Sequence, residues 1–464
     1  MQNKILYILR RASLYSYSET IINELTSNNC NVDLCIMKES VEGEGSTKYK
    51  IVEIEGAKAL IANNTESGNE KVLIKESEKI KIKKGVIRED IWVKPLILIR
   101  ETLNLISYIR RKDFGTFFEV QKTCTPKITR FMVTNSITSI IFTKIPFFRL
   151  LLKFLDNIIP VSMKIIDYIK VKNYSAVVVV GGNWSSRYNN FSSEIDYIKA
   201  GQKLGIKTVM QVVSWDNLTA RGLYHSTPDL FLVWNEQHSK EAQEIHAIPS
   251  KNIFVAGSPF MDKWFDKKYQ YQHINKQSDK NPYVTYLGSS KNIIRDESMV
   301  VKELHKELKK KNINLIVRPH GANYHQFYNL GTDIPVIPKN GGLPDTEESK
   351  ELMISTIKNS IATVGINTTA MVDSLILGKR CFAIVKPEFY NNQLATYHFK
   401  ALLNYELIEI SNSEIDCVNQ IINLVKDEEF IKKRDKFIID FCRPLGVDIE
   451  AGKASAKKII EIIN

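Results

Sequence analysis

The chain has 464 residues, 44% hydrophobic and 25% charged, a balance ordinary for globular domains, and its length suggests about two domains at roughly 100–200 residues each. A formal net charge of +12 suits either a Lys-rich surface that keeps the protein soluble or affinity for anionic partners: nucleic acid, anionic lipid or phosphorylated ligands. The six cysteines form no CxxC pair, and none stands near a His at zinc-finger spacing, which argues against a metal site built from them and for free thiols in a reducing compartment.

The opening MQNKILYILRR has too short an apolar run for a signal peptide. No stretch reaches the roughly 18 apolar residues of a spanning helix, so a cytoplasmic location is expected, with peripheral contact at the inner face of the cell membrane left open. Lys4–Leu9 is an apolar run followed by Arg10–Ser13, a helix from Ser18 and a strand at Val32–Met37, a βαβ opening. Residues 39–90 are rich in Lys and Glu, with alternating pieces at Tyr49–Ile54 and Lys79–Lys83 read as further strands and an exposed loop. Residues 92–172 follow a helical pattern. Within them, 130–155 mixes large apolar side chains with Arg130, Lys144, Arg149 and Lys153. Such a segment suits a membrane surface, but core helices share the pattern, and a helix pair packed into its own domain is the adopted expectation.

Ser175–Val180 is a buried strand running into Gly181-Gly182-Asn183-Trp184-Ser185-Ser186, where glycines permit close backbone approach to a ligand. A helix at Ser192–Leu204 precedes strands at Thr208–Val213, Asp229–Trp234 and Asn252–Ala256. Residues 263–281 are polar and read as an interdomain connection. A second strand–helix series then begins with Tyr283–Leu287, ending in Gly288-Ser289-Ser290. A helix at Asp296–Lys311 leads to the strand Asn314–Val317, which ends in Arg318-Pro319-His320-Gly321 before the loop-rich 321–350. The strand Ser360–Val364 ends in Gly365-Ile366-Asn367-Thr368-Thr369 and precedes a helix from Ala370. Arg380–Val385 is a strand whose following loop carries Gln393, Thr396 and His398, and Ser455–Ile463 is helical. The fold class is α/β: two Rossmann-like domains, 1–262 with a helical insertion around 92–172 and 282–450, joined by a linker at 263–281 and followed by a terminal helix at 451–464.

GxxxxGK[ST], a full GxGxxG, HExxH, GxSxG and Asp-x-Asp are all absent, as is any arginine-rich or aromatic-interleaved nucleic-acid module. Nucleic acid is therefore not an expected partner, and no metal is required. Ligands in open α/β sheets bind beyond the carboxyl ends of the strands. In the second domain those ends carry Ser289 and Ser290, Arg318 and His320, then Thr368 and Thr369. Hydroxyls, an imidazole, a guanidinium and a helix N-terminus together suit a phosphate, though Ser and Thr also cap helices routinely. Asp373, one turn on, suits a ribose hydroxyl or a helix surface. In the first domain the polar segment Ser214-Trp215-Asp216-Asn217 places Asp216 at the rim, as general base or nucleophile or in an Asx turn. Gly182, Asn183, Asn217 and Glu194 are further cleft candidates, Glu236 suits a helix cap, and Gln393 and His398 lie on a loop that either closes over the cleft or is simply solvated.

Arg318-Pro319-His320-Gly321 followed by Gly365-Ile366-Asn367-Thr368-Thr369 resembles the His-Pro and Ser/Thr motifs of a group of GT-B glycosyltransferases. That group includes bacterial sialyltransferases, capsule Kdo transferases and teichoic-acid glycerophosphate polymerases. Gly321 departs from the proline usual after the His, and Asn252–Asp262 also resembles sugar-nucleotide epimerases. The resemblance implies two domains facing a cleft, an acceptor-side first domain and a donor-binding second. It implies that His320, Thr368 and Thr369 hold a cytidine nucleotide's phosphate, with Asp216 as the candidate nucleophile. The expected function is transfer of a sugar from a nucleotide-activated donor, a CMP-linked ulosonic acid such as Kdo preferred, to a surface-glycan or lipid-linked acceptor. A CDP-glycerol glycerophosphotransferase, a UDP-sugar transferase or epimerase, and a non-catalytic membrane- or glycan-binding protein are the alternatives.

Overall fold

The computed structural model describes residues 2–39, 47–64, 70–135, 137–184, 191–266, 281–342, 344, 346–424 and 428–464. Most of the expected linker, 267–280, and Ser185 and Ser186 therefore lie outside the described residues.

The first part of the chain contributes β1 (Lys4–Leu9), β2 (Asn31–Ile36), β3 (Thr47–Ile54), β4 (Ala57–Asn64), β5 (Glu70–Lys75), β6 (Ile80–Lys84), β7 (Ala176–Val180), β8 (Lys207–Gln211), β9 (Leu230–Val233) and β10 (Ile253–Val255). Seven of these form a parallel sheet in the order β10-β9-β8-β7-β1-β2-β6. All five residues of β7, AVVVV, are buried, as parallel strands covered on both faces require. The Lys- and Glu-rich region divides in two: β3, β4 and β5 pair antiparallel in a small sheet, while β6 joins the edge of the large one beside β2.

The second part contributes β11 (Tyr283–Leu287), β12 (Asn314–Arg318), β13 (Thr363–Gly365), β14 (Cys381–Ile384) and β15 (Ile408–Ser411), a parallel sheet ordered β12-β11-β13-β14-β15. The α/β class with two Rossmann-like sheets is thus what the structure has. The loop-rich reading of 321–350 missed a helix, Glu347–Lys358, whose Thr346 and Ser349 form a reciprocal capping box. A Thr followed three residues later by a hydrogen-bonding side chain is a local start signal for such a helix.

In both sheets the strand order reverses part-way, and such switch points are where ligands enter open α/β sheets. In the first sheet the switch lies between β1 and β7, in the second between β11 and β13. The loops at these points are Arg10–Arg11 with Gly181–Trp184, and Gly288–Ser290 with Ile366–Thr369.

The helical insertion departs from expectation. Residues 130–155 are not a helix pair closed into its own core. They belong to three helices, Lys127–Thr134, Thr138–Lys144 and Pro146–Ile158, with many apolar side chains turned outward. Their inner sides pack on the long helix Val93–Arg111 through Leu152 and Leu155.

The chain crosses between sheets through the short 3-10 helix Pro259–Phe265, where Trp264 is buried, so residues 263–265 are packed structure rather than open linker. The terminal helix Ala451–Ile463 returns to the first sheet, with Ala456 and Ile459 in its core. It crosses helix Glu19–Ser27 so closely that a Cβ on Gly452 would lie 1.9 Å from Thr20 Oγ1 and 2.4 Å from Thr20 Cβ. Gly452→Ala is expected to cost about 1–3 kcal/mol through overpacking, read as a lower denaturant midpoint with an unchanged slope.

Candidate active site between the two sheets

The segment after β8 carries the first sheet to the second. Trp215 is buried, and its indole N–H donates to Thr369 Oγ1 at 3.0 Å. Its ring meets His398 edge-on with centroids 4.9 Å apart, and its carbonyl accepts from His238 Nε2 at 3.0 Å. Asp216 is half-buried beside it and accepts from Ser214 Oγ. It precedes the short helix Asn217–Ala220 without capping it through its side chain. Burial pushes the Asp216 carboxyl up, but Arg221, His398 and the Ser214 hydroxyl outweigh it and hold the group below the usual carboxylate range.

His398 is not on a solvated loop. It lies on helix Tyr397–Leu403, buried between Trp215 and Phe117, whose ring is 5.8 Å away. Asn367 Nδ2 donates to its Nε2 at 3.3 Å, and burial draws the imidazole down to about 4 against the pull of Asp216. It is therefore neutral near pH 7, facing a charged carboxylate.

Several cleft candidates prove to be braces. Asn217 Nδ2 donates to Asn183 Oδ1 and Asn183 Nδ2 to the Asn217 carbonyl, both at 2.9 Å. The pair is buried and locks the loops after β7 and β8 together. Gly182 is buried as well, its Cβ position 3.6–3.8 Å from Ile195, Val179 and Tyr224. Gln393 is fully buried and donates to the carbonyls of Ile366 and Ile384 at 2.7 and 2.9 Å, tying the ends of β13 and β14. Glu236 is exposed, and Asn235 caps its helix instead. Glu194 is buried, accepting from Arg10 Nη1 at 3.2 Å and Ser192 Oγ at 2.6 Å. With Arg10, Lys38, Arg88 and Lys94 it lines a cavity of about 730 Å³ that does not include Asp216.

At the switch point of the first sheet, the guanidiniums of Arg10, Arg11 and Arg221 lie 5.8, 5.5 and 4.8 Å from the centre of the Trp184 ring. Trp215, Trp184 and Arg221 were not singled out from the sequence, although tryptophans in loops directly after β7 and β8 were a signal for them.

In the second sheet Leu287 pairs with both Arg318 and Gly365, so the three expected strand ends do emerge side by side. Ser289, however, is fully buried. Its N–H donates to both Glu297 oxygens at 3.1 Å, and its Oγ accepts the Asn367 N–H at 3.4 Å. Ser290 is half-buried and starts the next turn. Arg318 is buried with Nη1 lacking a partner, and burial lowers it to about 10 against the opposing charge of Asp373. His320 is half-buried. Its Nδ1 accepts the Ala322 N–H at 3.0 Å, and burial takes it down to about 4. The neutral ring must then carry its proton on Nε2, aimed away from that backbone contact. Thr368 is buried and Thr369 half-buried at the start of helix Ala370–Ile376. Asp373 is buried, accepting the Trp264 indole N–H at 2.8 Å, so it is not part of a helix surface.

No family model and no curated protein matches the chain. Solved structures do. A UDP-GlcNAc 2-epimerase from Methanocaldococcus jannaschii superposes with a TM-score of 0.52 at 10% identity, over 99% of this chain and 100% of that one. A putative UDP-N-acetylglucosamine 2-epimerase from Listeria monocytogenes gives 0.51 at 9%, over 100% and 96%, and the S. aureus MnaA–UDP structure 0.50 at 8%, over 100% and 97%. The chain has the two-domain GT-B fold. At these identities the likeness concerns architecture alone.

Glu297 offers a test of how the Ser289 loop is held. Burial raises its carboxyl from 4.5 to about 7. A raised acid contributes stability that is present below its unfolded value and lost as pH rises through its folded one. Glu297→Gln is expected to flatten the decline in unfolding free energy between about pH 4.5 and 7, measured by urea denaturation across that range.

Proposed function

We infer that the protein is a nucleotide-sugar enzyme working across this cleft, with glycosyl transfer as its reaction. The observation that carries the reading is the junction at Trp215, which sets a charged Asp216 beside a neutral His398 where the strand ends of both sheets meet. A low-lying carboxylate suits a general base or nucleophile and not a general acid. His320 Nε2–H, Arg318 and Thr368 are the groups for the donor phosphate. In transfer, the acceptor hydroxyl loses its proton to Asp216 as its oxygen bonds the anomeric carbon. The bond from that carbon to the nucleotide breaks, and His320 and Arg318 meet the charge left on the phosphate. All of these groups are the chain's own side chains, and the scheme asks for no metal.

The motif resemblance favours a CMP-linked ulosonic acid, whose carboxylate the arginines around Trp184 suit, with a surface-glycan or lipid-linked acceptor. The architectural likeness to proteins described as UDP-GlcNAc 2-epimerases favours a UDP-sugar, and with it a second reading: epimerisation, which needs no acceptor. Titration with CMP, CDP, UDP and GDP, followed by thermal unfolding, separates the donors. A nucleotide at 100 times its dissociation constant stabilises the fold by about 2.7 kcal/mol. One nucleotide is expected to do so, with the response lost in His320→Ala and kept in Asp216→Asn, which loses about 10²–10⁴ in turnover. UDP-sugar turnover without acceptor would select the epimerase, and no response to any nucleotide would overturn the reading.

A further inference from the structure

The helical insertion exposes an apolar face that the cleft does not use. On helix Pro146–Ile158, Phe147, Leu150, Phe154 and Ile158 recur at helical spacing and are 62%, 58%, 58% and 56% exposed. The other side of the same helix packs Leu152 and Leu155 inward and buries Asp156. The helix is thus apolar on two sides, and among the described residues only one of them is packed against a partner. On the two preceding helices Phe131 and Ile140 are 64% and 52% exposed as well, so the insertion carries more than the scattered single apolar residues of an ordinary surface.

The charge pattern says what covers it. From residue 120 to 155 there is no Asp or Glu. Lys127, Lys144 and Lys153 are exposed and Arg130 and Arg149 half-buried, and among the described residues none of the five is ion-paired with a carboxylate. Asp156, the next acid, is enclosed by Arg100 and Lys199 at 2.8 and 2.6 Å. A second copy of this chain would bring like cations together, since a two-fold contact pairs a patch with itself. An anionic surface would not. No helix among the described residues is long and apolar enough to cross a membrane, so contact has to lie in the plane of the interface.

We propose that these three helices dock the protein on an anionic phospholipid bilayer, the apolar side chains entering the acyl boundary and Lys127, Lys144 and Lys153 meeting headgroup phosphates. The full-length protein is expected to sediment with phosphatidylcholine–phosphatidylglycerol vesicles, to remain in solution with phosphatidylcholine alone, and to be released by salt. Lys144→Gln with Lys153→Gln should weaken partitioning by roughly thirtyfold, at about fivefold per basic residue. Phe147→Asp with Phe154→Asp should abolish it. Both pairs are exposed, so melting temperature and nucleotide response should match the parent protein, which keeps this result separable from the cleft reading. Failure of the parent protein to bind anionic vesicles would overturn the proposal. So would unchanged binding by both variants, or light scattering that shows a dimer dispersed by Phe147→Asp with Phe154→Asp.

Discussion

One buried carboxylate anchors the segment by which the chain crosses between its two halves. Asp262 accepts the N–H groups of Ala451 and Gly452 at 2.9 and 2.8 Å and the Thr20 hydroxyl at 3.2 Å, and pairs with Arg443 at 3.0 Å. An acid at a helix N-terminus satisfies donors that have no partner within the helix. Burial is nonetheless the larger influence and lifts the carboxyl to about 6 despite Arg443. Asp262 stands where the chain leaves the first sheet, and it anchors the helix by which the chain returns. Two residues on, Trp264 donates to Asp373 on the helix that follows β13. The crossing segment is thereby fixed to both sheets, and the meeting of Trp215 with Thr369 depends on that fixed relation.

The cleft takes its positive charge from arginines and not from its histidines. The chain carries a formal +12, yet burial brings His238, His320 and His398 each down to about 4. Permanent charge in the cleft comes instead from arginines: three around Trp184, and Arg318 with an unsatisfied nitrogen. Neutral imidazoles with defined tautomers act as directed hydrogen-bond donors and acceptors, which fixes orientation without adding charge. The negative charge of Asp216 is kept by Arg221 and Ser214 against its own desolvation.

The helical insertion serves two surfaces. Its helix Thr116–Cys124 sends Phe117 to the ring of His398, while the following helices turn apolar side chains outward. Arg100 pairs with Asp156 inside the insertion at 2.8 Å and joins the insertion to the first domain through Asp196 at 3.5 Å. These charges are buried together, an arrangement that tolerates the loss of neither partner. The outward face and the cleft are therefore parts of one packed body.

Much of the architecture was legible in local pattern. Continuous apolar runs such as AVVVV and YVTYL mark strands buried on both faces, and the polar residues just after them mark the rim. Asp216, His320, Thr368 and the two-sheet plan follow from that rule, because strand ends are local features. Exposure is not local. Asn183, Asn217, Gln393 and Ser289 look as ligand-ready in sequence as their neighbours do, yet each is buried and hydrogen-bonded to another loop of the chain. The helices of 130–155 have the same composition whether covered or bare, and only the packing of one side on Val93–Arg111 left the other side open. The pairing of Trp215 with His398 joins residues 183 positions apart. The sequence by itself determined the elements and the chemistry at their ends, since these follow from backbone periodicity and residue type. Tertiary structure alone decided which of those groups stay free, since burial and hydrogen bonding are settled by contacts between segments far apart in the chain.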